Sequence, residues 1–157
     1  MITSPSMEEA VVMNRVISEN IFSEQTQYLA DQRLVELRGW IIHQISYPVI
    51  DITFNKEGRA GFRVRLLCQD WDGKPPSVEL LSVDGNYLIR LPQGSGVLNS
   101  GHHLITRRPF ICSPGSLEYH THPSHIADRW ENYKNRSGFD LGGIISQIWS
   151  AWGITHD

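Results

Sequence analysis

Cysteine is scarce in this chain of 157 residues, which carries only Cys68 and Cys112. Two thiols exclude a disulfide framework, although a single bond is arithmetically open. Charge of one sign is also scarce, because 14 basic and 17 acidic residues leave a formal net charge of −3. That balance gives no electrostatic reason to expect nucleic acid or an anionic membrane surface as partner. Long apolar runs are missing, and none approaches the roughly 20 residues needed to cross a bilayer. The opening MITSPSMEEAVV lacks the basic start and apolar core of a secretory signal, so the cytoplasm is the expected compartment. The sequence contains no internal repeat and no low-complexity tract.

What is present has the composition of an ordinary globular domain. With 40% hydrophobic and 20% charged residues, the length suits one domain with a proper core. Residues 1–6 read as a loose tail. From Ser6, SMEEAVVMNRVISENIF offers an N-cap, two acids in the first turn and apolar Val12, Val16 and Ile17, which predicts a short helix. From Ser23, Leu34, Leu37, Ile41 and Ile45 recur at helical spacing. This predicts a long amphipathic helix that ends near Ser46–Pro48, where proline cannot continue it.

The texture then changes to period two. VIDITFN, GFRVRLLCQ and SVELLSV read as strands separated by the glycine turn KEGRAG and the turn DWDGKPP, with Phe62, Val64 and Leu66 on one side. DGNYLIRLP is a candidate for one more short strand, and QGSGVLNSGHH reads as a loop. After the polar linker ENYKNRSGFD, Asp140 is an N-cap candidate. Leu141, Ile144, Ile145, Ile148, Trp149 and Trp152 then form a wide apolar stripe, expected to be a core-covering helix. The expected architecture is α+β: an N-terminal helix, an antiparallel meander of three to four strands, an irregular loop and a C-terminal helix. Residues 1–22 read as an N-terminal extension with its own short helix, and residues 23–157 as a single domain.

The chemistry concentrates between Arg108 and Trp130, in RPFICSPGSLEYHTHPSHIADRW. Cys112, Glu118, His120, His122 and His125 lie there between turns marked by proline. Thiol, carboxylate and imidazole act as nucleophiles, proton carriers and metal ligands. As a nucleophile, Cys112 would have positive charge nearby from Arg107 and Arg108, with His120, His122 or His125 as base. As a metal site, Cys112, Glu118, His120 and His122 make a legitimate zinc set, and in a strand the last three would share a face. A coordinated thiolate is a poorer nucleophile, so the two roles compete for the same sulfur. Cys68, in an apolar run, reads as a buried inert thiol, and Asp128 and Glu131 as a solvated face.

The order of landmarks resembles the ubiquitin-conjugating (E2, UBC-like) fold. The matching residues are Pro75–Pro76 in WDGKPPSVEL before a strand, Ile111–Cys112–Ser113 in an irregular segment, then Trp130 and the helix LGGIISQIW. The resemblance spans most of residues 23–152. Within it, the spacing C-x5-E-x-H-x-H of Cys112, Glu118, His120 and His122 is similar to a bacterial family predicted to bind metal and named for those four residue types. Such proteins occur in operons with ubiquitin-like proteins, E1-like adenylating enzymes and JAB-type deconjugating peptidases, implicated in defence against phage.

These resemblances imply an E2-like transferase. It would accept a ubiquitin-like protein from the E1-like adenylating enzyme as a thioester on Cys112 and pass it to an amine of a target protein. Glu118, His120 and His122 would assist, and no cofactor would be required. The alternative they imply is a non-catalytic partner of the adenylating enzyme, with zinc on Cys112, Glu118, His120 and His122. One departure stands out. The His-Pro-Asn motif expected upstream of the cysteine is replaced by His102 and His103 in GHHLITRRPFIC, and His-Pro occurs only at His122–Pro123.

Overall fold

The computed structural model describes residues 7–98 and 101–153, so the loose tail expected at residues 1–6 lies outside the described residues. A single helix, α1, runs over Met7–Thr26 through the boundary expected at residue 22. A second, α2, covers only Gln32–Arg38. Asp31 caps it, its carboxylate accepting from the backbone N–H groups of Arg33 and Leu34 at 3.0 and 3.2 Å.

The long helix expected from Ser23 to Ser46 is therefore wrong in its second half, where strand β1 occupies Trp40–Ser46. Gly39 is the physical reason. It sits in the left-handed region at φ +69°, and its N–H donates to the Glu36 carbonyl at 3.3 Å, closing the helix. A β-carbon there would also lie 2.6 Å from the Asn55 carbonyl oxygen. The helical spacing that suggested otherwise belongs to no buried face: Leu37 is 86% exposed and Ile41 49%.

Strands β2 (Val49–Lys56), β3 (Arg59–Leu67) and β4 (Ser77–Leu81) follow, as the period-two runs predict. The four strands form one antiparallel sheet in the order β1-β2-β3-β4. Ile52 faces Val64, Phe54 faces Phe62 and Leu66 faces Val78, and all six are buried. On the other face, Arg63 makes a two-pronged pair with Asp51 at 2.8 and 2.7 Å, and Arg65 pairs with Glu79 at 2.7 Å. DGNYLIRLP is not a strand. It doubles back through a single bridge between Leu81 and Tyr87, with the Leu88 N–H on the Leu80 carbonyl.

The apolar sheet face is covered by α1 and by α4, a 13-residue helix over Leu141–Gly153. Asp140 caps α4 as expected, accepting from the Gly143 N–H at 2.8 Å. Leu141, Ile145, Ile148 and Trp152 are buried, and Trp152 packs on Phe54 and Phe62. Gly142 is tolerated in this helix because Tyr28 from the α1–α2 turn rests against it, where any β-carbon would collide. Gln25 of α1 accepts from the Leu141 N–H and from the Trp71 indole, so it joins both helices to the turn before β4. The molecule is thus α+β, with a four-stranded antiparallel meander and helices at both ends. No helix is long and apolar enough to cross a membrane among the described residues.

Candidate functional site

After β4 the chain loses regularity, and local hydrogen bonds take over its shaping. His102 and Pro109 form a single bridge, and within it the Arg107 N–H donates to the His103 carbonyl at 2.7 Å. The His103 ring folds inside this tight loop, Nδ1 accepting from the N–H groups of Ile105 and Thr106 at 3.1 and 3.4 Å. His102 instead donates through Nε2 to the Ile89 carbonyl at 2.8 Å. Leu104 and Ile105 at the loop tip are 70% and 79% exposed.

Cys112 follows, half-buried, and the Pro114–Gly115 turn reverses the chain. Ser116, fully buried, anchors that turn by donating to the Ile111 carbonyl at 2.7 Å and capping the single helical turn α3, Leu117–His120. Two tight turns, with the His122 N–H on the Tyr119 carbonyl and the His125 N–H on the His122 carbonyl, return the chain over the thiol, so that His125 Nε2 lies 3.4 Å from Cys112 Sγ. The segment is fastened to the body at two points. The Leu117 N–H donates to the Pro76 carbonyl at 2.8 Å, and the Trp130 indole donates to the Asp72 carbonyl at 2.7 Å.

The residues singled out by spacing do not converge on one point. Because 117–120 is helical, Glu118 points away from the thiol and accepts from Ser77 Oγ at 2.7 Å and the Val78 N–H at 2.9 Å on β4. Burial pushes its carboxyl up, and the Ser77 and Val78 donors pull against that shift. His120 has both nitrogens engaged, Nε2 accepting from the Gly115 N–H at 3.0 Å and Nδ1 donating to the Asp128 carbonyl at 2.7 Å. This fixes the neutral tautomer with its proton on Nδ1. His122 accepts from the Ser124 N–H at 3.1 Å and lies parallel to the Phe110 ring, 6.1 Å between centroids.

Of the zinc set Cys112, Glu118, His120 and His122, Glu118 is engaged by Ser77 and Val78 and His120 by Gly115 and Asp128. Among the described residues no group of three or more His, Cys, Asp or Glu is placed to hold a metal ion.

Two residues carry more of the site than spacing suggested. His125, one of three imidazoles open as base, is the one that touches the sulfur. Asp128, expected on a solvated face, accepts from the hydroxyls of Tyr119 at 2.5 Å and Tyr133 at 2.7 Å. Those two donors hold its carboxyl below the usual range, and their bonds to Asp128 push both phenols up. The only sequence signal for this was the clustering of Tyr119, Asp128 and Tyr133 around the histidines. His103, close to His122 and buried, is lowered from its usual value by burial first and by that neighbour second. Cys68, by contrast, is fully buried and its thiol is pushed far up, as an inert core residue should be.

The candidate site is therefore a half-buried thiol facing an imidazole, presented on an irregular segment pinned to the edge of a four-stranded meander. No protein-family model matches this chain, and no curated protein matches it either.

Proposed function

We propose that this chain is an E2-like conjugating enzyme on a UBC-like fold. It accepts a ubiquitin-like protein from an E1-like adenylating enzyme as a thioester on Cys112, then passes it to a target amine in a bacterial antiviral pathway. The observation that carries the reading is the Cys112–His125 contact, a thiol 3.4 Å from an imidazole nitrogen at a half-buried position. The order of helix, four-stranded meander, cysteine, Trp130 and apolar C-terminal helix supports it.

The chemistry suits a thiol. As Cys112 Sγ attacks the carbonyl of the incoming thioester, its proton passes to His125 Nε2 and the donor's thiolate leaves. Exchange between two thioesters is nearly balanced in energy, so little activation is needed. The later attack by an amine forms an amide, returns the sulfur as thiolate and runs downhill. Arg108, four residues before the thiol, lies over the Tyr87 ring at 3.8 Å from its centroid. Glu118 and His120 serve this chemistry by holding the segment in shape, and His122 lines the approach beside His125.

The test is incubation with the cognate adenylating enzyme, ATP and the ubiquitin-like protein. Wild type should form an adduct that reducing agent removes, while Cys112→Ser should trap an ester or form nothing. Absence of a reducible adduct with wild type overturns the reading. About one zinc ion per chain, lost in Cys112→Ala, would put the metal-binding partner in its place.

A further inference from the structure

The imidazole that meets the sulfur rests on a ring. Tyr119 lies under His125 nearly parallel, with 4.4 Å between centroids and 14° between planes. The Tyr119 hydroxyl donates to Asp128 Oδ2 at 2.5 Å, and the Tyr133 hydroxyl donates to the same carboxylate at 2.7 Å. The main chain of Asp128 is tied in as well. Its N–H donates to the His125 carbonyl at 2.9 Å, and its carbonyl accepts from His120 Nδ1 at 2.7 Å. Through His120 Nε2 the same residue reaches the Gly115 N–H, in the turn that follows Cys112. One residue thus holds the ring beneath the base, the strand of chain that carries the base, and the turn that presents the thiol.

We infer that Asp128 is a positioning residue for Cys112, acting through Tyr119 on the plane and distance of His125. The inference rests on the reading of Cys112 as the group that accepts the acyl chain. A stacked ring fixes the tilt of an imidazole but not its slide along the stack. The carboxylate removes that freedom by fixing the far end of the phenol, and Tyr133 braces the carboxylate by donating to both its oxygens, at 2.7 Å to Oδ2 and 2.9 Å to Oδ1. A phenol that shares its proton with a carboxylate is also richer in electrons, which favours stacking on the imidazolium that forms as the thiol gives up its proton. Pre-set geometry of this kind matters because a small misplacement of a reacting pair costs rate steeply.

The experiment needs no partner protein. Iodoacetamide alkylation of Cys112 is followed in the full chain at one pH, by peptide mass spectrometry that counts Cys68 separately. Asp128→Ala and Tyr119→Phe are each made alone, together, and in a His125→Ala background. Each alone should slow alkylation roughly tenfold, toward the hundredfold loss that misplacement can bring, and the pair should be no slower than the worse single change. In the His125→Ala chain neither should slow it further. Asp128→Asn, which keeps one acceptor oxygen, should recover part of the rate. The His125 ring protons should lose their upfield ring-current shift in Asp128→Ala.

An Asp128→Ala chain that alkylates at the wild-type rate overturns the inference. So does one that is slowed by the same factor with and without His125, since that is what general loosening of the segment would do. If the alkylation pattern holds but no adduct forms with the adenylating enzyme, the positioning role stands and the transfer reading falls.

Discussion

At the scale of single residues, the site is governed by which hydrogen bonds each side chain has already made. His103 illustrates this with a pH consequence. Its Nδ1 accepts two backbone N–H groups, so the neutral ring is the one that fits, and burial lowers its pKa. A histidine lowered on folding contributes stability above its unfolded value of about 6.5, and that contribution is lost as pH falls below it. His103→Asn keeps an acceptor near the same place without the titration. Thermal unfolding of wild type should therefore fall relative to His103→Asn on going from pH 7.5 into the range below 6.5, and the two should run parallel above it.

Cys112 and Cys68 make a second contrast, one half-buried beside an imidazole and the other sealed in the core with its thiol pushed up. Iodoacetamide should modify the native chain once, at Cys112, and reach Cys68 only after denaturant is added. Mass spectrometry of the intact protein reads this directly. Two modifications under native conditions would contradict the burial of Cys68.

At the scale of elements, strands and the last helix were legible in the sequence because their burial pattern is regular. Phe62, Val64 and Leu66 alternate over β3, and Leu141, Ile145, Ile148 and Trp152 recur on one side of α4. The second half of the expected long helix was not legible, because Leu34, Leu37, Ile41 and Ile45 have helical spacing by coincidence. What separates α2 from β1 is one backbone conformation, at Gly39, that residue spacing does not encode. Gly39→Ala should destabilise the fold by about 1–3 kcal/mol, the range expected for a strained left-handed residue, here with added crowding against Asn55. Urea unfolding measures it.

The site was legible in part for a similar reason. The spacing of Cys112, Glu118, His120 and His122 singled out this segment but assumed an extended chain. Ser116 caps a helical turn instead, and that turn sends Glu118 to β4 and His120 to the Gly115 loop. The partner of the thiol, His125, is brought back by two tight turns that no periodicity announces. Glu118 is now an element-to-element fastener. Glu118→Ala strands the Val78 N–H and should cost about 1–3 kcal/mol. Glu118→Gln keeps the acceptor and sheds a buried charge, so at pH 7 its unfolding midpoint should match or exceed wild type. The sign follows from the raised carboxyl: wild type loses stability relative to Gln as pH rises out of the carboxyl range.

At the scale of the whole molecule, the irregular segment is joined to a body with a shared hydrophobic core. The sheet's inner face, α1 and α4 share a single core that includes Phe22, Phe54, Trp71, Trp130 and Trp152. Trp130 belongs to both regions, its ring 5.6 Å from Trp71 and its indole on the Asp72 carbonyl. Stability and the thiol's setting are therefore coupled at that residue. Trp130→Phe should lower the unfolding temperature and also change the alkylation rate of Cys112, whereas Ile145→Val, on the buried side of α4, should lower stability by about 1 kcal/mol and leave that rate unchanged.

The bond from Glu118 to the Val78 N–H has a further effect, because β4 is the last strand of the sheet. Together with the Leu88 N–H on the Leu80 carbonyl, it stoppers the outward-facing groups of that rim, the kind of rim that recruits foreign strands when left bare. The latch that fastens the Cys112 segment to β4 is thus also a guard against self-adhesion. Chains lacking it should scatter light on warming well before those that keep it.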